Sequence, residues 1–372
     1  MDKKNQEKII LDGHKLAWHK ERVEAWLKGK RIAPITIDIA LTKKCTYHCL
    51  YCFAQLQKNI ERDLSKEVIF RFLDDCKDIG VKAISFVSDG ESTCSPYLYE
   101  AIKKGKENGL DIALGTNGYL LDDNKLEEIL PCLTYLRFNI SAGDPKGYSK
   151  IHGVPEKCFY KVINTIKKAV EIKKKNGLSV TIGLQMVLMP QFKDQILPFA
   201  KLGKILGVDY AVIKHCSDDE NKTLGVDYEK YFDLIDLLKE AESLSDEHYL
   251  VKAKWSKILS KGERKYKQCF GPPFMLQISG NGLVAPCGAF FSEKYTKFHI
   301  GNIIDTPFKE IFQSERYWEV MSYLASENFD ARKMCAKLCL QEKINEYLWA
   351  LKKGEIELEE PEGEPPLHLN FI

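Results

Sequence analysis

The chain has 372 residues, 44% hydrophobic and 29% charged, a composition that can bury a core over one or two domains and excludes a wholly disordered or fibrous protein. Lys and Arg number 55 against 53 Asp and Glu, a net charge of +2, which argues against a dedicated nucleic-acid binder. With no apolar run of membrane-spanning length, no signal-like start and 12 cysteines, the expectation is a cytoplasmic protein whose cysteines serve metal or catalysis rather than disulfides.

Residues 1–34 read as a helical lead-in. From Ile35 a strand-then-helix rhythm sets in, with predicted strands at 35–40, 83–88, 110–114, 134–140, 179–188 and 209–215. Helices are predicted near 66–77, 96–108, 123–132, 156–175 and 194–206. Such alternation predicts a parallel sheet with crossover helices, and six units over 35–222 suffice for an open or partial barrel. The rhythm changes over 223–260, where a helix near 228–244 and a strand at 249–254 form a connection. A second unit over 261–345 contains a predicted hairpin, 275–279 and 283–285, around Gly280-Asn281-Gly282, and a helix near 307–324. Residues 346–372 form an acidic tail, expected to be solvated from Gly354 onward.

Two strands predict where a ligand sits. Leu136, Phe138 and Ile140 alternate with Arg137, Asn139 and Ser141; Val180, Ile182 and Leu184 alternate with Thr181, Gly183 and Gln185. Crossover helices demand the apolar rows, so the polar rows are expected in the lumen.

Just after the first strand comes Cys45-Thr-Tyr-His-Cys49-Leu-Tyr-Cys52. Three thiolates on one short loop suit one metal centre. A structural zinc site would need a fourth ligand, such as His48, whereas on a four-iron cluster three thiolates leave one iron open for chemistry. This spacing, with Tyr51 before the last cysteine, resembles the signature of the radical S-adenosylmethionine (radical SAM) superfamily. The resemblance covers roughly residues 33–217. It implies a partial (β/α)6 barrel, an α/β fold, and a four-iron four-sulfur cluster on Cys45, Cys49 and Cys52 whose open iron chelates S-adenosylmethionine. It also implies cofactor contacts from Gly90 and Glu91 in Ser88-Asp-Gly-Glu91, from Ser141 after the fourth strand and from Gln185 on the fifth. Ser92 stands where relatives usually carry Pro.

Cys269, Cys287, Cys335 and Cys339 are the second set. Four thiolates from separated segments suit a closed tetrahedral zinc site or a fully ligated cluster. The set resembles the α+β C-terminal extension called SPASM or twitch, and implies one auxiliary iron–sulfur cluster. Of the remaining cysteines, Cys76, Cys132 and Cys158 read as small core residues, and Cys94 lies close to Glu91. Lys214, His215, Cys216, Asp218 and Asp219 follow the sixth strand, where barrel sites are built, and are candidate substrate contacts. His152 is a weaker one.

The resemblance implies reductive cleavage of S-adenosylmethionine to a 5′-deoxyadenosyl radical, which abstracts a hydrogen atom from a C–H bond. The electron would come from an external flavodoxin- or ferredoxin-type reductant. The expected outcome is oxidation or epimerisation of a small sugar- or aminocyclitol-like substrate, with Lys214, His215 or Asp218 as base or Cys216 as hydrogen-atom donor. A ribosomal-peptide maturase is the alternative, and a non-catalytic zinc-stabilised binding protein the remote one.

Overall fold

A parallel ladder organises the chain. The structure, a computed structural model, describes residues 8–337 and 339–372. Its strands are β1 Thr36–Ile39, β2 Ala83–Phe86, β3 Asp111–Thr116, β4 Leu133–Asn139, β5 Thr181–Leu188, β6 Tyr210–His215, β7 Leu250–Ala253, β8 Met275–Ile278, β9 Leu283–Ala285 and β10 Gly301–Asn302. β1 to β7 pair in sequence order, every pair parallel. β8 returns to pair in parallel with β1, Thr36 opposite Met275, and β9 and β10 continue antiparallel. The result is one ten-stranded sheet, β10-β9-β8-β1-β2-β3-β4-β5-β6-β7. The six-strand expectation is thus extended at both edges, by β7 and by the hairpin of the second unit.

The crossover helices form where sequence signals predict them. Ser65 accepts from the Val68 amide at the start of Lys66–Ile79, and Gly80 ends that helix at a φ of 91°. Ile69, Phe72, Leu73 and Cys76 make its buried stripe. Lys157–Lys175 buries Cys158, Val162, Ile166, Ala169 and others against the sheet. Leu136, Phe138 and Ile140 join this core, so the expected apolar row does face the helices. Among the described residues no helix is long and apolar enough to cross a membrane.

The helices Phe308–Gln313 and Glu315–Leu324 occupy the predicted 307–324 span. Phe308 meets Phe72 edge-on at 5.4 Å, which ties the second unit to the barrel's own helix layer.

The tail differs from expectation. Glu342–Lys353 is a helix ended by Gly354 at a φ of 69°, and the acidic stretch after it is mostly exposed. From Pro366 the chain turns back under the barrel. The Thr36 hydroxyl donates to the Asn370 carbonyl at 2.6 Å and the Asn370 amide nitrogen to Asp111 at 2.7 Å. The Lys15 ammonium donates to the Phe371 carbonyl at 2.6 Å. Phe371 packs with Ala83, Ala113 and Tyr135. These partners begin β1 to β4, so the last residues floor the lumen. A run of glutamates hid this, because the docking residues are the few apolar and amide side chains after it. Phe371→Ala is expected to cost about 3 kcal/mol, read as a lower denaturation midpoint; an unchanged midpoint would show the docking to be energetically idle.

Candidate active site

The Cys45–Cys52 loop leaves the C-terminal end of β1. Cys45 is exposed, Cys49 and Cys52 are half-buried, and each lies near enough to another for their charges to interact. Burial raises all three thiols, Cys45 to about 11. Unliganded thiolates are disfavoured here, and a cationic metal centre would reverse that preference.

The loop is clasped by the end of a helix, Pro145–His152, that the sequence reading omitted. Asp144 caps it by accepting from the Gly147 amide at 2.9 Å. Its terminal carbonyls accept from the loop: His48 N–H to His152 at 3.1 Å and Leu50 N–H to Ile151 at 2.9 Å. The fully buried His152 ring is the third grip. Its Nε2 accepts from the Ser141 amide at 3.1 Å, which leaves the proton of a neutral ring on Nδ1. Burial pulls its pKa down to about 3, so the ring is neutral. Nδ1–H therefore donates to Cys49 Sγ at 3.1 Å, with the Tyr51 hydroxyl at 3.5 Å. His152 thus acts on a cysteine rather than on substrate, and its place after β4 was the one sequence signal for it.

Ser88-Asp-Gly-Glu91 lies beside the same loop. A Cβ on Gly90 would stand 1.9 Å from the Thr42 carbonyl oxygen, and one on Gly280 would stand 2.2 Å from the Thr42 carbonyl carbon. Thr42 is therefore pinched between the β2 loop and the hairpin of the second unit, a contact that only glycine permits on either side. Asp89 closes it, accepting from Ser279 Oγ at 2.6 Å and Gly280 N–H at 2.8 Å. Glu91 is buried and accepts from Thr93 N–H at 3.1 Å, Thr93 Oγ1 at 2.8 Å, Thr116 Oγ1 at 2.7 Å and Asn117 N–H at 2.7 Å. Four donors hold the carboxylate, so Glu91 braces β3 against the β2 loop. Three of the donors fall on Oε1 and only the Asn117 amide on Oε2, so Oε2 keeps a lone pair for the expected contact with the cofactor amine.

The polar row meets across the strands: Gln185 Nε2 donates to Asn139 Oδ1 at 2.9 Å, and Ser141 Oγ accepts from the Val187 amide at 3.1 Å. At the end of β6 the candidates separate. Cys216 Sγ donates toward the Tyr51 carbonyl at 3.7 Å, which brings this buried thiol to the cysteine loop; burial and Asp218 push its pKa up to about 12, so it stays S–H. Lys214 falls on the lumen face with Val212. His215 turns to the opposite face against Tyr228 and Tyr231. Asp218, 0% exposed, accepts from the amides of Asp219, Leu224 and Val226. His215 and Asp218 are thus corrected from candidate bases to loop and core residues: alternation along β6 turns one away, and its own loop occupies the other. Asp219 likewise accepts from Asn221 and Thr223. Cys94 lies close enough to Cys45 for their charges to interact.

The second cysteine set also converges. The Asn345 side-chain amide donates to Cys269 Sγ at 3.6 Å and to Cys339 Sγ at 3.9 Å, and the charges of Cys335 and Cys339 raise Cys287 beyond what burial does. Among the described residues no three His, Cys, Asp or Glu groups are drawn together as around a single ion. Four thiols brought together from separated segments are a donor set suited to a fully ligated cluster, and three on the β1 loop to one with an open iron.

The comparisons agree with this geometry. Residues 39–202 match the model of the radical SAM superfamily, and residues 269–340 that of an iron–sulfur cluster-binding domain, SPASM. The chain thus carries a radical SAM domain with a SPASM domain C-terminal to it. That domain pair implies a four-iron four-sulfur cluster with S-adenosylmethionine in the barrel and auxiliary iron–sulfur clusters beyond it. Among curated relatives, a tungsten-containing aldehyde ferredoxin oxidoreductase cofactor-modifying protein of Pyrococcus furiosus is 23% identical over 75% of this chain and 81% of its own. A probable GTP 3′,8-cyclase of Saccharolobus islandicus is 29% identical over 46% of this chain, and the match spans about half of the cyclase, 54%. Among solved structures, Streptococcus suis SuiB bound to S-adenosylmethionine superposes with a TM-score of 0.63 at 18% identity, covering 82% of this chain and 72% of that one. The protein anSMEcpe with bound AdoMet gives 0.56 at 16%, covering 87% and 97%.

Removing the His152 donor destabilises the more negative, reduced state of a cluster held by Cys49. His152→Phe is expected to lower the midpoint potential of the reconstituted primary cluster, measured by EPR-monitored redox titration. An unshifted potential with the loop intact would exclude the hydrogen bond to the thiolate.

Proposed function

We propose that this radical SAM enzyme oxidises or epimerises a small polar substrate held in the barrel lumen. The single observation behind the reading is the convergence, at the C-terminal ends of the strands, of the Cys45–Cys52 loop, the Cys216 thiol and Lys214 above a polar lumen. When bound, the primary cluster and S-adenosylmethionine supply a 5′-deoxyadenosyl radical, with the electron from an external one-electron reductant of the flavodoxin or ferredoxin kind. Cys45, Cys49 and Cys52 hold the cluster. Tyr51, Gly90, Glu91, Ser141 and Gln185 shape the cofactor's seat.

Lys214 suits a base, because burial and the nearby Arg137 bring its pKa down to about 7, within range for taking a proton at neutral pH. Cys216 suits a hydrogen-atom donor, because its raised pKa keeps the S–H bond. Oxidation would use Lys214 to take the proton of the substrate radical, with an auxiliary iron–sulfur cluster as the acceptor of its electron, whereas epimerisation would use Cys216 to return a hydrogen atom. A peptide substrate is the second reading. It is favoured by the fold neighbours, since SuiB has been solved bound to precursor peptide SuiA and anSMEcpe with the Kp18Cys peptide.

Two tests check the chemistry common to both readings. Cys45→Ala, Cys49→Ala or Cys52→Ala should each abolish formation of 5′-deoxyadenosine by anaerobically reconstituted enzyme with dithionite, while loss of Cys269, Cys287, Cys335 or Cys339 should leave abortive cleavage and remove substrate turnover. Full cleavage by any variant of the first group would refute the assignment. In deuterated buffer an epimerase should place solvent deuterium at the inverted carbon, and Cys216→Ala should lose it. A two-electron-oxidised product, with Cys216→Ala nearly silent, would instead establish oxidation.

A further inference from the structure

Across the whole chain acids and bases nearly cancel. In the lumen they do not. Beneath the cysteine loop a cavity of about 170 Å³ is lined by Lys15, Asp38, Tyr135, Arg137, Gln185 and Lys254 among others. Asp38 is its one carboxylate side chain among the described residues, and Gln277 donates to it at 3.3 Å. Lys15 is engaged with the Phe371 carbonyl. Arg137 and Lys254 are not engaged: among the described residues neither side chain makes a hydrogen bond or ion pair, and Arg137 Nε is buried without a partner. The Arg137 guanidinium rests over the Tyr135 ring at 5.7 Å.

An unpaired cation taken out of water costs several kcal/mol, and a protein relieves that cost by pairing the charge or shedding the proton. The lysines here are driven toward the second course. Burial lowers Lys254 well below the ordinary range, helped by Lys257, Lys214 and Arg137. Arginine cannot follow. A permanent charge on β4 and a lysine just past β7, facing one cavity with no hydrogen-bonded or ion-paired partner among the described residues and only Asp38 and Asp12 acting on them through charge, are the complement of an anion, which would restore the lysine's proton and satisfy the guanidinium together.

We propose that the lumen of this barrel binds an oxyanion, the carboxylate or phosphate of the substrate, between Arg137 and Lys254. This rests on the reading of the lumen as the substrate site. The methionyl carboxylate of S-adenosylmethionine offers the same chemistry, but Arg137 stands four residues before Ser141, roughly 13 Å along the strand, and its head lies over Tyr135, on the side away from the cysteine loop. Lys254 lies level with Ser141 through Val187 and Lys214, so Arg137 is the cation that assigns the oxyanion to the substrate, with the rest of the molecule directed past Lys254 toward the radical.

The test is calorimetric titration of anaerobically reconstituted holoenzyme with inorganic phosphate, acetate and S-adenosylmethionine separately. Saturable binding of phosphate or acetate is expected, on the order of millimolar. Arg137→Gln and Lys254→Gln should each weaken it about tenfold, one charge-assisted bond, while the affinity for S-adenosylmethionine changes less than about twofold. No saturable binding of either anion to the wild type overturns the proposal, as do variants that bind as the wild type does. Variants that weaken S-adenosylmethionine instead assign the cations to the cofactor carboxylate and also overturn it. If Arg137→Gln does not fold, judged by circular dichroism, Lys254→Gln decides alone. Formation of 5′-deoxyadenosine by the wild type is scored separately. Its absence sinks the radical reading; its presence without anion binding sinks this one.

Discussion

The parallel pairing of β8 with β1 is the constraint on which the arrangement depends. β1 delivers the first cysteine loop at its C-terminal end. β8 lies hydrogen-bonded alongside it through four residue pairs and, nine residues after Ile278, delivers Cys287. The two cysteine sets are thus fixed relative to each other by a backbone ladder, which is stiffer than a packed domain interface. The Thr42 pinch between Gly90 and Gly280 repeats the coupling one turn further on, with Asp89 as its latch. A shift of the hairpin would move the β2 loop and Thr42 with it.

Most of this was legible in the sequence, for identifiable reasons. Every predicted strand lies within two residues of an observed one, because buried parallel strands between amphipathic helices leave long apolar runs bounded by polar turns. The cysteine loop was legible because its three cysteines are local. The second set depends on long-range closure, yet four cysteines in one small unit leave few alternatives. What stayed hidden was decided by three-dimensional neighbours. His152 looked like a loop histidine, and only the carbonyls of its helix end, together with the Ser141 amide, make it a donor to Cys49. Asp218 and His215 looked like site residues because they follow a barrel strand. Sequence position does not say that Asp218 closes its own turn, or that His215 falls on the wrong side of the pleat.

The lumen shows how a polar row becomes a chamber. Gln185 and Asn139 satisfy each other, and Ser85 and Tyr135 lie within hydrogen-bonding distance at 3.2 Å. These pairs remove their own desolvation penalty, while Arg137, Lys254 and Lys214 make no hydrogen bond or ion pair among the described residues. Polar satisfaction is thus uneven within one cavity, and the unevenness carries chemical information that composition averages away.

The docked tail also fixes the direction in which the chain runs past Phe371. Ile372 donates its amide to Thr36 Oγ1 at 3.3 Å and borders the lumen cavity. Residues fused directly after it would set out from the underside of the barrel, against the same wall that holds Tyr135. An affinity tag placed there would compete with the Phe371 anchor, whereas a spacer long enough to clear the strand ends would leave it seated. The choice of tag position in preparing this protein is therefore a choice about the geometry of its interior.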